Sequence, residues 1–234
     1  QLKANGVEIA IIAAVSSGTA VALLTASALG YKPEKWVVIS VGADATTIQT
    51  IAGSRGIPAA SSAALLSGMI SASHAPAPGD TSDEFITAFK QINDDFNKGA
   101  DKRWDNNVLQ GMNIGYMTVG ALTGTLNSKT VFSTKRNKAC QANAKKGTLT
   151  RVCFIDYMES NGSKIASAAF SPLQYSSTTH EAFSGFWIGA YDATTVLKPI
   201  GDSRVVYSTD SGNGPVTVST YKRPALAADA LPKN

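Results

Sequence analysis

Two apolar segments separated by a helix-length segment open the chain and limit the folds that it can adopt. Residues 7–15 form a nearly continuous apolar run of strand length, and residues 36–41 form a second one. Between them, a Ser-Ser-Gly-Thr turn precedes a helical pattern over residues 19–29, which ends at Gly30. Because the connections are short, the pattern predicts a right-handed βαβ unit whose first strand is buried on both faces.

The remaining sequence predicts further helices and then a change to short β segments. Up to residue 123 the predicted elements are a short helix after residue 47, a helix or irregular segment reaching residue 65, a third strand over 66–72, a Pro-rich loop over 74–82, and helices over 83–98 and 105–123. The predicted elements that follow are an irregular basic stretch over 124–150, a helix over 149–159, short β segments from residue 166 and an extended tail over 222–234. The class is therefore α/β with a β-rich C-terminal segment.

Basic residues are concentrated in one part of this chain. The net charge is +4, yet seven cations lie in a single stretch without acids, so the remainder of the chain carries net negative charge. A phosphate- or membrane-binding arm is one interpretation, and a solvated surface insertion is the favoured one. Phe132 is the only aromatic residue in the stretch that is available to stack on bases, so we expect no nucleic-acid partner. The seven cations are Lys129, Lys135, Arg136, Lys138, Lys145, Lys146 and Arg151.

Few residues of the chain are suited to catalysis or metal binding. The two cysteines, Cys140 and Cys153, have no zinc-type spacing; they would pair in an oxidising compartment, and two unpaired thiols are the alternative. The two histidines, His74 and His180, lie in loop-like sequence, and no GxSxG motif is present. No apolar run is long enough to span a membrane. We therefore expect neither an enzyme nor a metal or cofactor site.

Polar and small residues follow both strands of the opening unit. Ser16 and Ser17 lie at a helix N-terminus after the first strand, and Gly42 and Asp44 occupy the equivalent place after the second. The carboxyl ends of neighbouring parallel strands form the usual binding crevice of open α/β sheets, and free N–H groups there favour anionic or polar ligands. The alternative is that both segments are ordinary helix caps.

Several segments, in this order along the chain, resemble a known family. They are Ala4-Asn5-Gly6-Val7, Ser17-Gly18-Thr19-Ala20, Leu29-Gly30-Tyr31-Lys32-Pro33, Leu65-Leu66-Ser67-Gly68, Pro76-Ala77-Pro78, the helix over 83–96, Ser171-Pro172-Leu173-Gln174-Tyr175-Ser176 and Phe183-Ser184-Gly185-Phe186. Together they resemble the second lobe of type I periplasmic binding proteins, in the branch of the branched-chain amino acid receptors of ABC transporters. The resemblance implies two Rossmann-like lobes, joined by crossing strands, that close on a small molecule.

The resemblance also implies a domain organisation. Residues 1–75 would be the βαβ region of the second lobe, 76–123 the crossing segment with helices returning toward the first lobe, 124–150 a basic insertion or irregular link, and 151–234 a helix with short β segments and a tail. The first six residues read as the end of a helix closing at Asn-Gly, so we expect further sequence to precede Gln1.

The function implied by the resemblance is capture of a small polar or amphipathic solute, amino-acid-like or carboxylate-bearing, for an ABC importer. The partner would be a membrane permease, the location periplasmic or cell-surface in a bacterium, and the protein a monomer. A sensory ligand-binding domain of the same fold is the first alternative. A small α/β enzyme is the second.

Ligand contacts carried over from the family fall on the two strand-end loops, which comprise Val15, Ser16 and Ser17 after the first strand and Val41, Gly42, Ala43 and Asp44 after the second. Amino-acid-binding members place an aromatic side chain in the first loop and a carboxylate for the ligand ammonium in the second, where this chain has Val15 and Val41. Burying an unpaired ammonium would cost several kcal/mol. Either Asp44 supplies the carboxylate, or the ligand is not an ordinary α-amino acid, which is the favoured interpretation. Asn107 and Gln110 are further candidates for polar contacts.

Overall fold

The structure is a computed structural model that describes residues 1–99, 103–201, 203–209 and 214–228, divided between two units. Unit 1 consists of Gln1–Ser73, Asp105–Asn107 and Trp187–Val206. The remaining described residues form unit 2. The predicted α/β class is confirmed, because helices pack on a sheet with both parallel and antiparallel strands.

A mixed sheet forms the centre of unit 1. Its parallel strands are adjacent in chain order, with β1 paired to β2 and β2 to β3, whereas β4 pairs antiparallel with β3 and β5 antiparallel with β4. Parallel strands that are consecutive in the chain need a long crossover connection, usually a helix, as the opening sequence pattern predicted. The strands are β1 (Ile9–Ile12), β2 (Lys35–Val38), β3 (Ile70–Ser73), β4 (Gly185–Tyr191) and β5 (Leu197–Pro199).

Three helices pack against one face of this sheet. They are α1 (Ser16–Ala28), α2 (Ala45–Ser54) and α3 (Ala59–Leu66). Leu23 of α1, Ile48 of α2 and Leu66 of α3 share one buried cluster with Val38 and Tyr191 of the sheet. Burying each such aliphatic side chain contributes about 1.5–3 kcal/mol, so this cluster stabilises the packing of the three helices on the sheet.

The first strand is not buried on both faces, so that prediction is wrong. Side chains alternate across a strand, and Ala10 points to the helical layer while Ile11 is 74% exposed on the opposite face. Successive right-handed crossovers place α1 and α2 on the same side of the sheet, which leaves the other side of β1 open. The continuous apolar run reflects only the composition of the strand, and it does not indicate whether one face or both faces of the strand are buried.

Three predicted boundaries in unit 1 also need correction. The helix after β1 begins at Ser16 rather than residue 19, because the hydroxyl-rich turn forms its first turn. The first strand is correspondingly shorter than residues 7–15. The third strand begins at Ile70 rather than residue 66, because the helix that ends at Leu66 is followed by Gly68, whose φ of +81° is in the left-handed region.

Unit 2 is mainly helical. Its longest helix begins within Asp105–Asn107 of unit 1 and continues through unit 2. Phe85 and Phe89 pack with Leu109 and Ala168 in a buried cluster, and Asp83 caps the first helix by accepting hydrogen bonds from the N–H groups of the following turn. The elements are α4 (Glu84–Phe96), α5 (Asn106–Leu126), α6 (Asn137–Lys145), α7 (Arg151–Asn161), β6 (Val206–Ser208) and β7 (Thr217–Val218).

The basic stretch contains a helix, so the prediction that residues 124–150 are irregular is wrong for Asn137–Lys145. Cys140 and Ala144 are the buried residues of this helix, and a disulfide joins Cys140 to Cys153 of α7, with the two Cα atoms 5.5 Å apart. The helix was missed because its apolar face is only two residues long, and its position depends on the disulfide.

The C-terminal segment is held to α4. Arg223 forms an ion pair with Asp83, and the backbone N–H of Leu226 donates to a carboxylate oxygen of Glu84 at 3.0 Å. Residues 222–228 have no regular secondary structure, and the rest of the predicted extended tail lies outside the described residues. In the part of the chain that the structure describes, no helix combines the length and the hydrophobicity needed to cross a bilayer.

Candidate ligand-binding site

Two loops meet at the carboxyl ends of the first two strands. β1 and β2 are in parallel register, and the N–H of Ile39 donates to the carbonyl oxygen of Ile12 at 3.2 Å, which extends the pairing to the strand ends. Beyond that point, the Ser16 hydroxyl donates to the carbonyl oxygen of Val41 at 3.0 Å. The predicted residues of both loops are therefore neighbours, linked through a side chain of one and the backbone of the other.

The close approach of these loops requires a glycine at residue 42. A Cβ atom added to Gly42 would lie 2.2 Å from the carbonyl oxygen of Ala14 and 2.9 Å from the Thr19 hydroxyl. Neither the backbone oxygen nor the buried Thr19 side chain has room to move away. Packing between the loops therefore requires glycine at residue 42. This requirement explains the glycine without a direct contact to a ligand.

The N-terminus of α1 has no side-chain cap. Val15 occupies the N-cap position with extended backbone angles, and no acidic residue lies in the first turn. The first N–H groups of a helix have no partners inside the helix, and the helix dipole makes that end favourable for anions. Ser17 is exposed in this first turn, so backbone donors and a hydroxyl are presented together at the strand-end edge.

Asp44, in contrast, is already committed to a structural contact. Its carboxylate accepts a hydrogen bond from the N–H of Thr47 at 2.7 Å, which caps α2, and the residue is buried. The hydroxyl of Tyr191 donates to the neighbouring carbonyl oxygen of Ala43. Burial raises the pKa of Tyr191, and the negative charge of Asp44 raises it further. Asp44 is therefore a helix cap in a closed environment, which does not favour a role in binding a ligand ammonium.

The two valines of the predicted site are exposed to solvent. Val15 is 63% exposed and Val41 is 64% exposed, and each lies beyond the end of its strand. They lie on the two loops that the Ser16 hydrogen bond joins, so their apolar side chains flank the uncapped helix end. This combination of apolar side chains and backbone donors suits a solute with a short hydrocarbon part and an anionic group.

The remaining predicted contacts, Asn107 and Gln110, fall in different units. Asn107 is exposed at the beginning of α5. In unit 2, Gln110 Oε1 lies 2.9 Å from His74 Nε2, and the His74 ring stacks on Phe183 at 5.4 Å. Burial lowers the pKa of His74, and the hydrogen bond to Gln110 opposes that effect in part. The Gln110 amide therefore has a structural partner in its own unit.

Sequence reasoning missed two residues that support the loops. Tyr191 comes from a strand that is distant in sequence, and no local pattern links it to Ala43. The Thr19 hydroxyl is buried without a hydrogen-bond partner within the described residues, beside Gly42. Thr19 is the fourth residue of the Ser-Ser-Gly-Thr turn, and this sequence position did not indicate that its hydroxyl is buried. Within the same described ranges, no group of three or more His, Cys, Asp or Glu residues is arranged to hold a metal ion.

No protein-family model matches the chain, and no curated protein matches its sequence. Solved structures do resemble it. A branched-chain amino acid ABC transporter protein from Thermus thermophilus, solved with bound valine, has a TM-score of 0.61 at 15% identity, covering 86% of this chain and 47% of that one. The fold is that of type I periplasmic binding proteins.

Two further structures with the periplasmic-binding-protein fold show the same relationship. A substrate-binding periplasmic protein from Ralstonia solanacearum has a TM-score of 0.57 at 12% identity, covering 82% of this chain and 45% of that one. A leucine-binding protein from Thermotoga maritima has a TM-score of 0.51 at 13% identity, with coverages of 85% and 47%. The chain thus spans about half the length of the structures that it resembles. The fold resemblance predicted from the sequence is confirmed.

Proposed function

We propose that the chain is part of the substrate-binding component of an ABC importer, and that the strand-end edge of unit 1 binds a small solute bearing a carboxylate. The fold supports this proposal, because the structures that it resembles include an ABC transporter protein, a substrate-binding periplasmic protein and a leucine-binding protein. The proposal includes an extracytoplasmic location, a membrane permease as partner, and the closure of two lobes around the solute that the family resemblance implies.

The observation that carries the proposal is the hydrogen bond between Ser16 and the backbone of Val41. It holds the uncapped N-terminus of α1 next to the loop that follows β2, so that both loops contact the same volume at the edge of the sheet. In open α/β sheets this edge is where ligands bind. A carboxylate there would receive hydrogen bonds from the first-turn N–H groups, which have no partners within the helix.

The solute class follows from the groups that these loops offer. Val15 and Val41 contribute hydrocarbon surface, and the only acid of the two loops, Asp44, is buried as the cap of α2. A ligand ammonium at this edge would therefore lose water without gaining a counter-ion, at a cost of several kcal/mol. We infer that the solute is a short branched carboxylate, or a derivative in which the amine is absent or neutral.

Calorimetric titration with three matched compounds tests this proposal. Isovalerate carries the carboxylate alone, isobutylamine the ammonium alone, and valine both. We expect isovalerate to bind, valine to bind more weakly and isobutylamine not to bind. Tighter binding of valine than of isovalerate would overturn the assigned solute class. Conversion of any of the three compounds to a product would overturn the assigned receptor function.

A substitution at Val15, the N-cap position of α1, distinguishes an effect on solute binding from an effect on stability. Val15→Asp supplies α1 with a side-chain cap, which stabilises a helix by about 1 kcal/mol, and it places a negative charge where the solute carboxylate would bind. We expect higher thermal stability and loss of isovalerate binding. The control is Val21→Asp, an exposed position within the same helix, which we expect to leave binding unchanged. Retained affinity in Val15→Asp would contradict the proposed site.

A further inference from the structure

A disulfide-closed helical hairpin carries seven of the 21 lysines and arginines of the chain in one segment without acids. The basic hairpin, defined as residues 129–153, contains α6 and the beginning of α7, and the Cys140–Cys153 disulfide fixes the two helices to each other. Lys138 and Lys145 are seven residues apart on α6 and so share a face, opposite the buried Cys140 and Ala144.

The charge of the basic hairpin is not neutralised by nearby acids. All seven of its lysines and arginines are exposed, and no aspartate or glutamate occurs between residues 106 and 155. The next acid, Asp156, is buried, and its carboxylate accepts hydrogen bonds from the N–H and the hydroxyl of Ser133. Throughout the described ranges, none of the seven cations forms an ion pair.

Exposed apolar side chains lie among the cations at the tip of the basic hairpin. Leu149 is 46% exposed in the short connection between α6 and α7, and Val152 is 53% exposed in the first turn of α7. Lys145, Lys146 and Arg151 are close to them in sequence. Apolar side chains next to lysines and arginines are typical of surfaces that insert shallowly between lipid headgroups. A merely solvated insertion gains nothing from exposing these apolar side chains.

The basic hairpin has no accessible aromatic ring for stacking on bases. Phe132 is buried and packs with the disulfide and Tyr157, so the one aromatic residue noted in the sequence stretch is part of a small core. Single-stranded nucleic acids are bound through such stacking together with basic grooves. The disulfide also fits an oxidising compartment, where nucleic acid is not the usual polyanion.

We propose that the basic hairpin is a docking surface for anionic phospholipid bilayers. Its cations lie at the headgroup level, and Leu149 and Val152 enter the boundary with the acyl chains. This interaction goes beyond solute binding and does not depend on it, because it uses residues of unit 2 only. A receptor that delivers solute to a permease gains from it, since a protein held at the membrane surface searches two dimensions rather than three.

Vesicle co-sedimentation of the whole chain tests the proposal. We expect binding to vesicles made of equal parts phosphatidylglycerol and phosphatidylcholine, none to pure phosphatidylcholine, and release by added salt. In the triple variant Lys138→Gln, Lys145→Gln and Lys146→Gln, affinity falls about a hundredfold, since each surface cation contributes about fivefold. The variant Leu149→Ser with Val152→Ser weakens binding at high salt, where the apolar contribution dominates.

A matched triple variant elsewhere on the chain is the control. Lys32→Gln, Lys35→Gln and Arg55→Gln remove the same charge from exposed positions of unit 1. Equal losses in both triple variants would attribute binding to net charge and overturn the proposal. Failure of the unmodified protein to bind anionic vesicles also overturns the proposal. Binding to soluble polyglutamate without binding to vesicles overturns it too, and would identify an acidic protein as the partner. Near-ultraviolet circular dichroism verifies that every variant is folded.

Discussion

The Ser16 hydroxyl donates a hydrogen bond to the carbonyl oxygen of Val41 and thereby joins the loops that follow the first two strands. Each loop alone is explained equally well as an ordinary connection between a strand and a helix. The bond between them makes the strand-end edge a single surface, with the uncapped helix end and two exposed valines held in a fixed arrangement.

We expect Ser16→Ala to weaken solute binding by about tenfold and to reduce the free energy of unfolding by about 1 kcal/mol, because the carbonyl oxygen of Val41 loses its donor. The control is Ser54→Ala, which removes a hydroxyl that bonds only within its own helix end. Calorimetric titration and urea unfolding measure both quantities. Equal affinity of the two variants would show that the bond between the loops does not organise the site.

Gly42→Ala should separate the two loops. The added methyl group would overlap the carbonyl oxygen of Ala14, so the backbone has to shift, at a cost of about 1–3 kcal/mol. Gly53→Ala is the matched control within α2, since a methyl group there meets no atom within 4 Å. The control should stabilise the protein by about 0.5–1 kcal/mol, because alanine favours a helix over glycine. Thermal unfolding distinguishes the two, and a stable Gly42→Ala variant would contradict the described packing.

The βαβ opening and the meeting of the two strand-end loops were predictable from the sequence, because apolar runs, a glycine stop and strand-end hydroxyls are local features. The open face of β1 was not, because a run such as Ile9–Ile12 has the same composition whether helices cover one face or two. The contact of Tyr191 with Ala43 depends on a strand distant in sequence, and α6 depends on a disulfide, so neither left a local pattern.

The stability of unit 2 should decrease at acidic pH because of His74. Burial lowers the pKa of His74, so the folded state favours the neutral ring. Its contribution to stability is complete above the ordinary pKa of 6.5 and is lost as the pH falls below that value, where the unfolded chain takes up the proton first. Gln110→Leu removes the hydrogen bond that opposes this effect and should lower the pKa further.

Nuclear magnetic resonance titration of the His74 ring measures this pKa directly. Substituting His180 by glutamine leaves His74 as the only histidine and makes its signal unambiguous. A His74 pKa at or above its ordinary value would show that the ring is solvated and would remove the reason for the acid sensitivity.

The Arg223 guanidinium is expected to hold the C-terminal segment on α4. It forms a largely buried ion pair with Asp83 and donates to the carbonyl oxygen of Ala168 at 3.0 Å. Arg223→Met leaves Asp83 without its counter-ion and should cost about 3–5 kcal/mol. The exposed pair of Lys90 and Asp94 provides the comparison, since Lys90→Met should cost less than about 1 kcal/mol. Urea unfolding that gave equal losses would mean that the Arg223 pair is solvated.

The central claim, that the strand-end loops of unit 1 form a binding site for a small carboxylate, is tested most directly by following backbone amide resonances during titration with isovalerate. We predict saturable shifts concentrated on Ser16, Ser17 and Gly18, at the free N–H end of α1, and on the loop from Val41 to Asp44, with isovalerate recovered unchanged. Saturable shifts confined to other parts of the chain, or the absence of shifts at these amides at saturating isovalerate, would contradict it.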